Sequence, residues 1–358
     1  MARDFINISD NFSNTMKPVK CLVWDLDNTL WDGVLLESSR VQLKQGIPEL
    51  LKSLDEKGII NSIASKNNYE DAMQVLKAHN ISDYFLYPEI HWNAKSVSIS
   101  NIQKNLNIGI DTIAFIDDQT FEREEVNSVH GDVYCIDANE YAVLHTYERF
   151  NPSVITEDAR RRRLMYQEEI RRQQDEEEFK GPKDAFLASL NMELIISPVA
   201  ESDLMRMEEL TIRTNQLSAT GKTYGYEQLR EYMNSPDHRL MAWELKDKYG
   251  SYGKIGLVLL RLLPGRLHTE MILCSCRVMS RGVGTIMLQY LISLAKQNGC
   301  RLTANFKDTG KNRMMYLAYK FASFKETGEC EEDCQVMEHG LREDAQIPSY
   351  LRIIDYFK

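Results

Sequence analysis

Two aspartates separated by one leucine end a hydrophobic segment near the start of the chain. In "VKCLVWDLDNTLWDG", residues 19–24 predict a buried strand, and Asp25 and Asp27 follow it. Two carboxylates at a buried strand end repel each other unless a cation compensates their charge. Because Mg²⁺ prefers carboxylate oxygens, the pair predicts a magnesium site.

More polar residues occur at the ends of the next predicted strands. Ser65 follows "INSIA", Lys95 opens a helix after "HWNA", and Asp117 and Asp118 follow "TIAFI". Strands that alternate with helices predict a parallel sheet, in which ligands bind at the carboxyl ends of the strands. We therefore expect these residues to meet the first aspartate pair.

The chemistry that such a set supports is phosphoryl transfer. Asp25 can attack phosphorus when Mg²⁺ shields the incoming phosphate from the carboxylate. Asp27, two residues further on an extended chain, points to the same face and can protonate a departing ester oxygen. Ser65 and Lys95 offer a hydroxyl donor and a positive charge to the phosphoryl oxygens.

The four motifs "DLDNTL", "SIASKN", "AK" and "FIDD", in this order, closely resemble those of the haloacid dehalogenase superfamily of phosphohydrolases. The resemblance implies that Asp25 is the phosphorylated nucleophile and Asp27 the general acid and base. It also implies Mg²⁺ ligation by Asp25, Asp117, the Asp27 backbone carbonyl and, in addition, Asp118. The short stretch between Thr29 and "SIAS" leaves no room for a large cap domain, so we expect an open site.

A second group of reactive residues lies in "CSCRVMSRGVG". Cys276 ends an apolar segment that predicts a strand, and Arg277 and a glycine turn follow. A thiolate near a cation and a helix N-terminus can accept an acyl group. Cys274, two positions earlier on the same strand face, is the alternative, and composition alone also fits a buried, inert cysteine.

This segment and the helix after it resemble the GCN5-related acetyltransferase fold, in which backbone amides at the helix start hold the pantetheine pyrophosphate. That family usually has Arg or Gln where this chain has Met279. The departure argues against coenzyme A, although a phosphopantetheine arm along the strand still fits.

Four longer stretches, "LVWDLDNTLWDGVLLE", "RTNQLSATGKTY", "SCRVMSRGVG" and "TGKNRMMYLAYKFASF", resemble the FkbH-like glyceryl transferase/phosphatases over nearly the whole chain. The resemblance implies transfer of the phosphoglyceryl group from 1,3-bisphosphoglycerate to an enzyme cysteine, where it is held as a thioester, and removal of the 3-phosphate. Glyceryl then passes to the phosphopantetheine thiol of an acyl carrier protein, for polyketide biosynthesis.

Carried over residue by residue, the resemblance makes Cys276 the acyl-carrying nucleophile. His268 is a candidate base and Tyr319 a candidate general acid, although each also fits a structural role. Ser323 stands where the family usually has Gly. The motif positions that supply donors for phosphate or carbonyl oxygens are Arg213, Asn215, Gln216, Lys311 and Asn312.

These elements predict an α/β chain with four parts. An N-terminal extension (1–18) precedes a capless haloacid dehalogenase-like parallel sheet (19–150). A helical linker (151–182) follows, whose charged residues 157–179 predict an exposed helix. The last part (183–358) is an α+β acetyltransferase-like domain.

Composition limits the partners and the location. The net charge of −10 argues against general nucleic-acid binding, which needs a basic surface. Seven scattered cysteines fit reduced thiols, and no apolar run is long enough for a membrane span, so we expect a cytoplasmic protein.

Two other functions remain open from the sequence. One is a small-molecule phosphatase fused to an acetyl-coenzyme A-dependent N-acetyltransferase. The other is a carrier-protein docking module in which only the phosphatase half is catalytic.

Overall fold

The computed structural model describes residues 17–38, 40–342 and 347–357. Most of the predicted N-terminal extension, residues 1–16, lies outside this range. The chain forms two compact units. The first contains the described residues up to Leu54 and Ile59–Pro152, and the second contains Asp55–Gly58 and the described residues from Ser153 onward.

The first unit alternates strands and helices, as its apolar and amphipathic segments predict. In chain order the elements are β1 (Cys21–Trp24), β2 (Trp31–Asp32), β3 (Gln42–Leu43), α1 (Ile47–Glu56), β4 (Ile60–Ser65), α2 (Tyr69–Ala78), β5 (Glu89–Ile90), α3 (Lys95–Leu106), β6 (Ile113–Asp117), α4 (Thr120–Val129) and β7 (Tyr134–Asp137).

Five of these strands form one parallel sheet in the order β5-β4-β1-β6-β7. All four residues of β1 are buried, as expected for a central strand covered on both faces. Trp24 pairs with Ile63 of β4 and Ile116 of β6, so these three strands end at the same edge of the sheet. Between β1 and β4, the described residues add only α1 and the β2–β3 pair.

The second unit begins with helices and continues with a mixed set of elements. In chain order they are α5 (Glu157–Arg160), α6 (Arg162–Glu178), α7 (Lys183–Ser189), β8 (Met192–Pro198), α8 (Leu204–Arg213), α9 (Tyr226–Asn234), β9 (His238–Asp247), β10 (Gly250–Leu263), β11 (Arg266–Cys274), α10 (Val283–Gln297), β12 (Arg301–Phe306), α11 (Arg313–Phe321), β13 (Phe324–Glu331), β14 (Cys334–His339) and β15 (Leu351–Asp355).

Eight strands form the sheet of this unit, in the order β13-β14-β12-β11-β10-β9-β8-β15. Neighbours pair antiparallel except β11–β12 and β8–β15. The apolar face of α10 is buried in the core with Trp243 and Tyr319. The predicted fold class is confirmed: an α/β unit with a parallel sheet is followed by an α+β unit with a mixed sheet.

The charged helix predicted over residues 157–179 forms, but its predicted exposure is wrong. The helix breaks at Arg161, and α6 buries Arg162, Met165, Tyr166 and Arg172. Arg172 is 1% exposed because its guanidinium pairs with Asp247 of β9, with 2.6 Å between Nε and Oδ2. Charge alone therefore misled the prediction, since buried carboxylates can compensate buried arginines.

No helix in the described parts of the chain is long and apolar enough to cross a membrane.

Candidate functional site

Three carboxylates meet at the carboxyl edge of the parallel sheet. Asp25 directly follows β1, Asp117 is the last residue of β6, and Asp118 comes next. Their ligand oxygens lie within 4.8 Å of one another, and Asp25 and Asp117 are buried. The parallel topology thus brings together residues that are far apart in the chain, as the motif order predicts.

Lys95, at the start of α3, joins this group. Its Nζ lies 2.6 Å from Asp25 Oδ1 and also donates to Asp117 Oδ2. Burial raises the pKa of Asp25 against the opposing charge of Lys95. Burial and the neighbouring Asp25 charge raise the pKa of Asp117 to about 7. One ammonium therefore does not fully compensate the carboxylates.

The donor set fits a magnesium ion. Buried carboxylates whose charged forms are penalised gain from a divalent cation, and ligands that are all oxygens suit Mg²⁺. Asp25, Asp117 and Asp118 are the side chains that would hold it.

Ser65 completes the predicted phosphate-binding set. It is the last residue of β4, and its hydroxyl hydrogen-bonds Asp25, which lowers the pKa of that carboxyl against the larger effect of burial. The Asp118 backbone N–H donates to Thr29 Oγ1 at 3.1 Å, which fixes the Asp118 backbone beside the motif that contains Asp25.

The Asp27 carboxylate is held apart from the three-carboxylate cluster. Its Oδ1 accepts from Trp31 Nε1 at 2.8 Å and from the Leu35 backbone N–H at 3.1 Å, and its Oδ2 accepts from Asn67 Nδ2 at 2.9 Å. These donors orient a carboxyl group for proton transfer. Asn67 was not predicted from the sequence, and its signal is its position two residues after Ser65.

In the second unit, the two cysteines do not share a strand face as predicted. β11 ends at Cys274, and Cys276 begins a 3₁₀ turn, Cys276–Arg281. Cys274 is buried, and burial strongly raises the pKa of its thiol. Cys276 is half-buried. Of the two, Cys276 is therefore the thiol that a substrate can reach.

Four arginines from three elements form what we call the arginine cluster: Arg162 of α6, Arg206 and Arg213 of α8, and Arg277 beside Cys276. Glu209 lies among them and accepts from Arg162 and, at 2.7 Å, from Arg206. Arg206 also pairs with Asp158 at 2.8 Å. Three of these arginines were not assigned from the sequence, because helices far apart in the chain bring them together.

His268 is not placed near Cys276. It is the third residue of β11, whereas Cys276 follows the opposite end of that strand. The His268 side chain is fully buried, and its Nδ1 lies 2.8 Å from Thr303 Oγ1. The assignment of His268 as a base for Cys276 is therefore corrected to a structural role.

Tyr319 also belongs to the core. It is fully buried against Phe306 and Phe324, its hydroxyl donates to the Asn305 carbonyl at 3.4 Å, and burial strongly raises its pKa. A phenol in this position cannot reach a substrate, so the general-acid assignment is corrected as well.

Asn312 serves the backbone and not a substrate. Its Nδ2 donates to the Ser218 and Lys307 carbonyls, each at 2.9 Å, and it is fully buried. An amide nitrogen has two hydrogens, and both are used. Asn215 and Gln216 lie half-buried in the loop after α8, and Lys311 is exposed.

The segment that Asn312 holds, residues 217–219, fills the space between two diverging strands. β11 and β12 pair only from Arg266 to Thr269 on the β11 side. Beyond that point, the Cys274 N–H donates to the Leu217 carbonyl at 2.9 Å, and the Ala219 N–H donates to the Ile272 carbonyl at 3.0 Å. The chain itself therefore occupies the strand edge where we expected a phosphopantetheine arm.

Comparisons with known proteins match parts of the chain. No family model matches the chain. Human magnesium-dependent phosphatase 1 is 29% identical over 119 residues, which are 28% of this chain and 68% of the relative.

Among solved structures, the N-terminal part of BF1531 from Bacteroides fragilis, which contains a phosphatase domain complexed with Mg, is 30% identical. It matches 38% of this chain with a TM-score of 0.35, and the chain spans 42% of its length. The ribosomal-protein-S18-alanine N-acetyltransferase from Escherichia coli is 14% identical, covers 40% of this chain and 92% of its own, and has a TM-score of 0.32. The chain is thus similar in sequence to a magnesium-dependent phosphatase and has acetyltransferase structural neighbours.

Proposed function

We propose that the chain is a bifunctional glyceryl transferase/phosphatase. It takes the phosphoglyceryl group from 1,3-bisphosphoglycerate onto Cys276, removes the 3-phosphate, and transfers glyceryl to the phosphopantetheine thiol of an acyl carrier protein in the cytoplasm. The observation that carries the phosphatase half is the contact of Lys95 with both Asp25 and Asp117 beside Asp118. The sequence similarity to magnesium-dependent phosphatase 1 supports it.

The phosphatase residues divide the work by position. Asp25 attacks phosphorus. Ser65 and Lys95 bind the phosphoryl oxygens while the negative charge on those oxygens is redistributed. Bound Mg²⁺ supplies the positive charge that lets a carboxylate approach a phosphate dianion. Asp27, oriented by Trp31 and Asn67, gives its proton to the leaving oxygen.

The acyl half depends on Cys276. This thiol is half-buried and lies next to Arg277, whereas Cys274 is enclosed in the core. A cysteine that receives the acyl group as a thioester would tether the phosphorylated substrate and raise its effective concentration for the phosphatase.

One set of contacts disfavours the acetyl-coenzyme A alternative. Arg281, just before α10, is already paired with Glu169 and Glu176 of α6, at 3.2 and 3.0 Å. Carboxylates near a helix N-terminus oppose the binding of a pyrophosphate there.

Intact-protein mass spectrometry with Mg²⁺ and freshly generated 1,3-bisphosphoglycerate tests the proposal. We expect a glyceryl adduct on the wild type, none on Cys276→Ala, and a phosphoglyceryl adduct that accumulates on Asp25→Asn. An adduct that persists on Cys276→Ala would make Cys274 the nucleophile.

A chain that never carries an adduct would reject self-acylation. Acetyl transfer from coenzyme A to an amine would then favour the N-acetyltransferase alternative. Carrier-protein binding that survives Cys276→Ala would favour the docking module.

A further inference from the structure

The arginine cluster gathers positive charge in a chain whose net charge is −10. Glu209 pairs with Arg162 and Arg206, and Asp158 pairs with Arg206. Arg277 is the least compensated. It donates to the thioether sulfur of Met165, a weak acceptor, and forms no ion pair within the described part of the chain.

Arg277 directly follows Cys276 and contacts Met165, one helical turn after Arg162 on α6, so the cysteine lies near this helix. Tyr166 of α6 is largely buried, and burial together with the nearby Cys276 raises its pKa to about 12, against the charges of Arg277, Arg162 and Arg213. Burial and the repulsion of neighbouring arginines lower the pKa of Arg277 to about 10. Cys276 is therefore close to a group of like charges that an anion would relieve.

Further acidic side chains of this region lie near Arg206. A cavity of about 420 Å³ is lined by Asp158, Asp203 and Glu244, and of the four arginines only Arg206 reaches it. Lys254 lies between the latter two carboxylates, at 3.8 Å from Asp203 and 3.9 Å from Glu244. Arg277, next to Cys276, therefore lies outside this acidic cavity, as do Arg162 and Arg213.

We propose that the arginine cluster is a phosphate site in which Arg277 and Arg213 hold a phosphate dianion beside the Cys276 sulfur. Guanidinium groups bind phosphate through charge-assisted hydrogen bonds, often two at a time. The ligand class is an acyl phosphate, and its phosphate is the leaving group.

This assignment rests on the proposed function. In the step it serves, the Cys276 sulfur forms a bond to the carbonyl carbon, and the bond from that carbon to the phosphate oxygen breaks. The electron pair leaves with the phosphate, which takes up the thiol proton. Neutralisation of the departing dianion by the arginines lowers the barrier to this step.

Inorganic phosphate tests binding at the proposed site without any acyl transfer. Alkylation of Cys276 by the neutral reagent iodoacetamide is followed by peptide mass spectrometry with and without phosphate. We expect phosphate to slow alkylation in the wild type and Arg277→Met to weaken this protection at least about tenfold, as the loss of a charged hydrogen bond requires. The matched control Arg352→Met, an exposed arginine of β15, should keep full protection.

A phosphopantetheine arm also carries a phosphate. Two further experiments distinguish this source from an acyl phosphate. Acetyl phosphate, a small acyl phosphate, should acetylate Cys276 in the wild type and about tenfold more slowly in Arg277→Met. Protection by phosphopantetheine that depends on Arg277, without acetylation by acetyl phosphate, would overturn the leaving-group assignment.

The failure of this site and that of the proposed function give different results. Protection by phosphate that depends on Arg277, without any adduct from 1,3-bisphosphoglycerate, would keep the site and reject the function. A glyceryl adduct formed equally fast in Arg277→Met would keep the function and reject the site. If Arg277→Met does not fold, Arg277→Lys keeps the charge but loses the planar fork, and Arg213→Met removes the second ligand. Undiminished protection of Cys276 by phosphate in both Arg277→Lys and Arg213→Met would overturn the proposal.

Discussion

The two candidate sites of this protein are built in opposite ways. In the first unit, carboxylates collect around one lysine at the edge of a parallel sheet. In the second, arginines from α6, α8 and the turn after β11 collect around one glutamate. Lys95 alone does not fully compensate the carboxylates of the first site, and Arg277 of the second site forms no ion pair within the described part of the chain. These charges are why we propose a cation for the first site and an anion for the second.

The sites also differ in how the chain assembles them. Each residue of the carboxylate site follows or begins a regular element, so the topology of the sheet positions it. The arginine cluster instead depends on side chains of α6, α8 and the turn after β11. The first site should therefore tolerate changes elsewhere in its unit better than the second.

The largest effect should come from the nucleophile of the first site. Asp25→Asn should lower hydrolysis of a generic phosphate monoester by at least about a thousandfold, or about 4 kcal/mol in activation free energy. Cys276→Ala should hydrolyse the same free substrate at the wild-type rate. A comparable loss in both variants would show that the two sites are not separate.

Acidification should lower the stability of the second unit. Burial lowers the pKa of His268 to about 4, from about 6.5 in an unfolded chain. Between these values the unfolded state binds the extra proton, so stability is complete above pH 6.5 and is lost as the pH falls toward 4. The loss should be up to about 3 kcal/mol.

Thermal unfolding of the wild type and His268→Gln at pH 7 and pH 5 measures this loss. The variant should show a smaller difference between the two pH values. The control His79→Gln, an exposed histidine of the first unit, should behave like the wild type. Equal acid sensitivity in all three proteins would contradict the buried, neutral state of His268.

The first unit should respond to a cation instead. Mg²⁺ at about a hundred times its Kd should stabilise this unit by about 2.7 kcal/mol, because it binds the folded carboxylate site only. Calorimetry with and without EDTA measures the shift in Tm. Asp117→Asn should lose most of it, while Asp132→Asn, at an exposed position of the same unit, should keep it. A shift that survives Asp117→Asn would place the ion elsewhere.

A smaller effect should follow the loss of the amide that holds residues 217–219. Asn312→Ala leaves the Ser218 and Lys307 carbonyls without their donor and should cost about 2 kcal/mol of stability. Denaturant unfolding measures the change. The neighbouring Lys311→Ala, at an exposed position, should change little. Equal destabilisation by both would point to the loop as a whole and not to the amide.

The smallest effect should be a gain. Ser323 has φ of +63°, a left-handed conformation that favours glycine, at the end of α11. Ser323→Gly should raise stability by about 0.5 kcal/mol, since glycine adopts this conformation without steric cost. The control Ser293→Gly, inside α10, should lower stability. A loss in Ser323→Gly would mean that the serine side chain contributes more than the strain costs.

The sequence predicted the fold of both units and five members of the first site: Asp25, Ser65, Lys95, Asp117 and Asp118. Strand ends and motif order were sufficient, because parallel strands end at a common edge. The donors that orient Asp27 were harder to predict from the sequence. Asn67 lies inside a recognised motif, but only the structure shows that its amide reaches Oδ2 of Asp27.

For the second site the sequence predicted a reactive cysteine but the wrong neighbours. His268 and Tyr319 have the right side-chain chemistry, yet one lies at the far end of β11 and the other in the core. The arginines of "DARRRRL" suggested a solvated helix, because a charge run carries no information about which of its members meet a buried carboxylate.

What the sequence by itself determined was the order of strands and helices, the carboxylate site at their ends, and the two candidate cysteines. These depend on local patterns and on the general geometry of parallel sheets. Only the tertiary structure decided which cysteine is accessible and which arginines gather beside it. It also showed that residues 217–219 hydrogen-bond to the edge of β11 beyond its pairing with β12. Those outcomes depend on packing between segments more than a hundred residues apart, such as Arg162 and Arg277, and no local pattern encodes such packing.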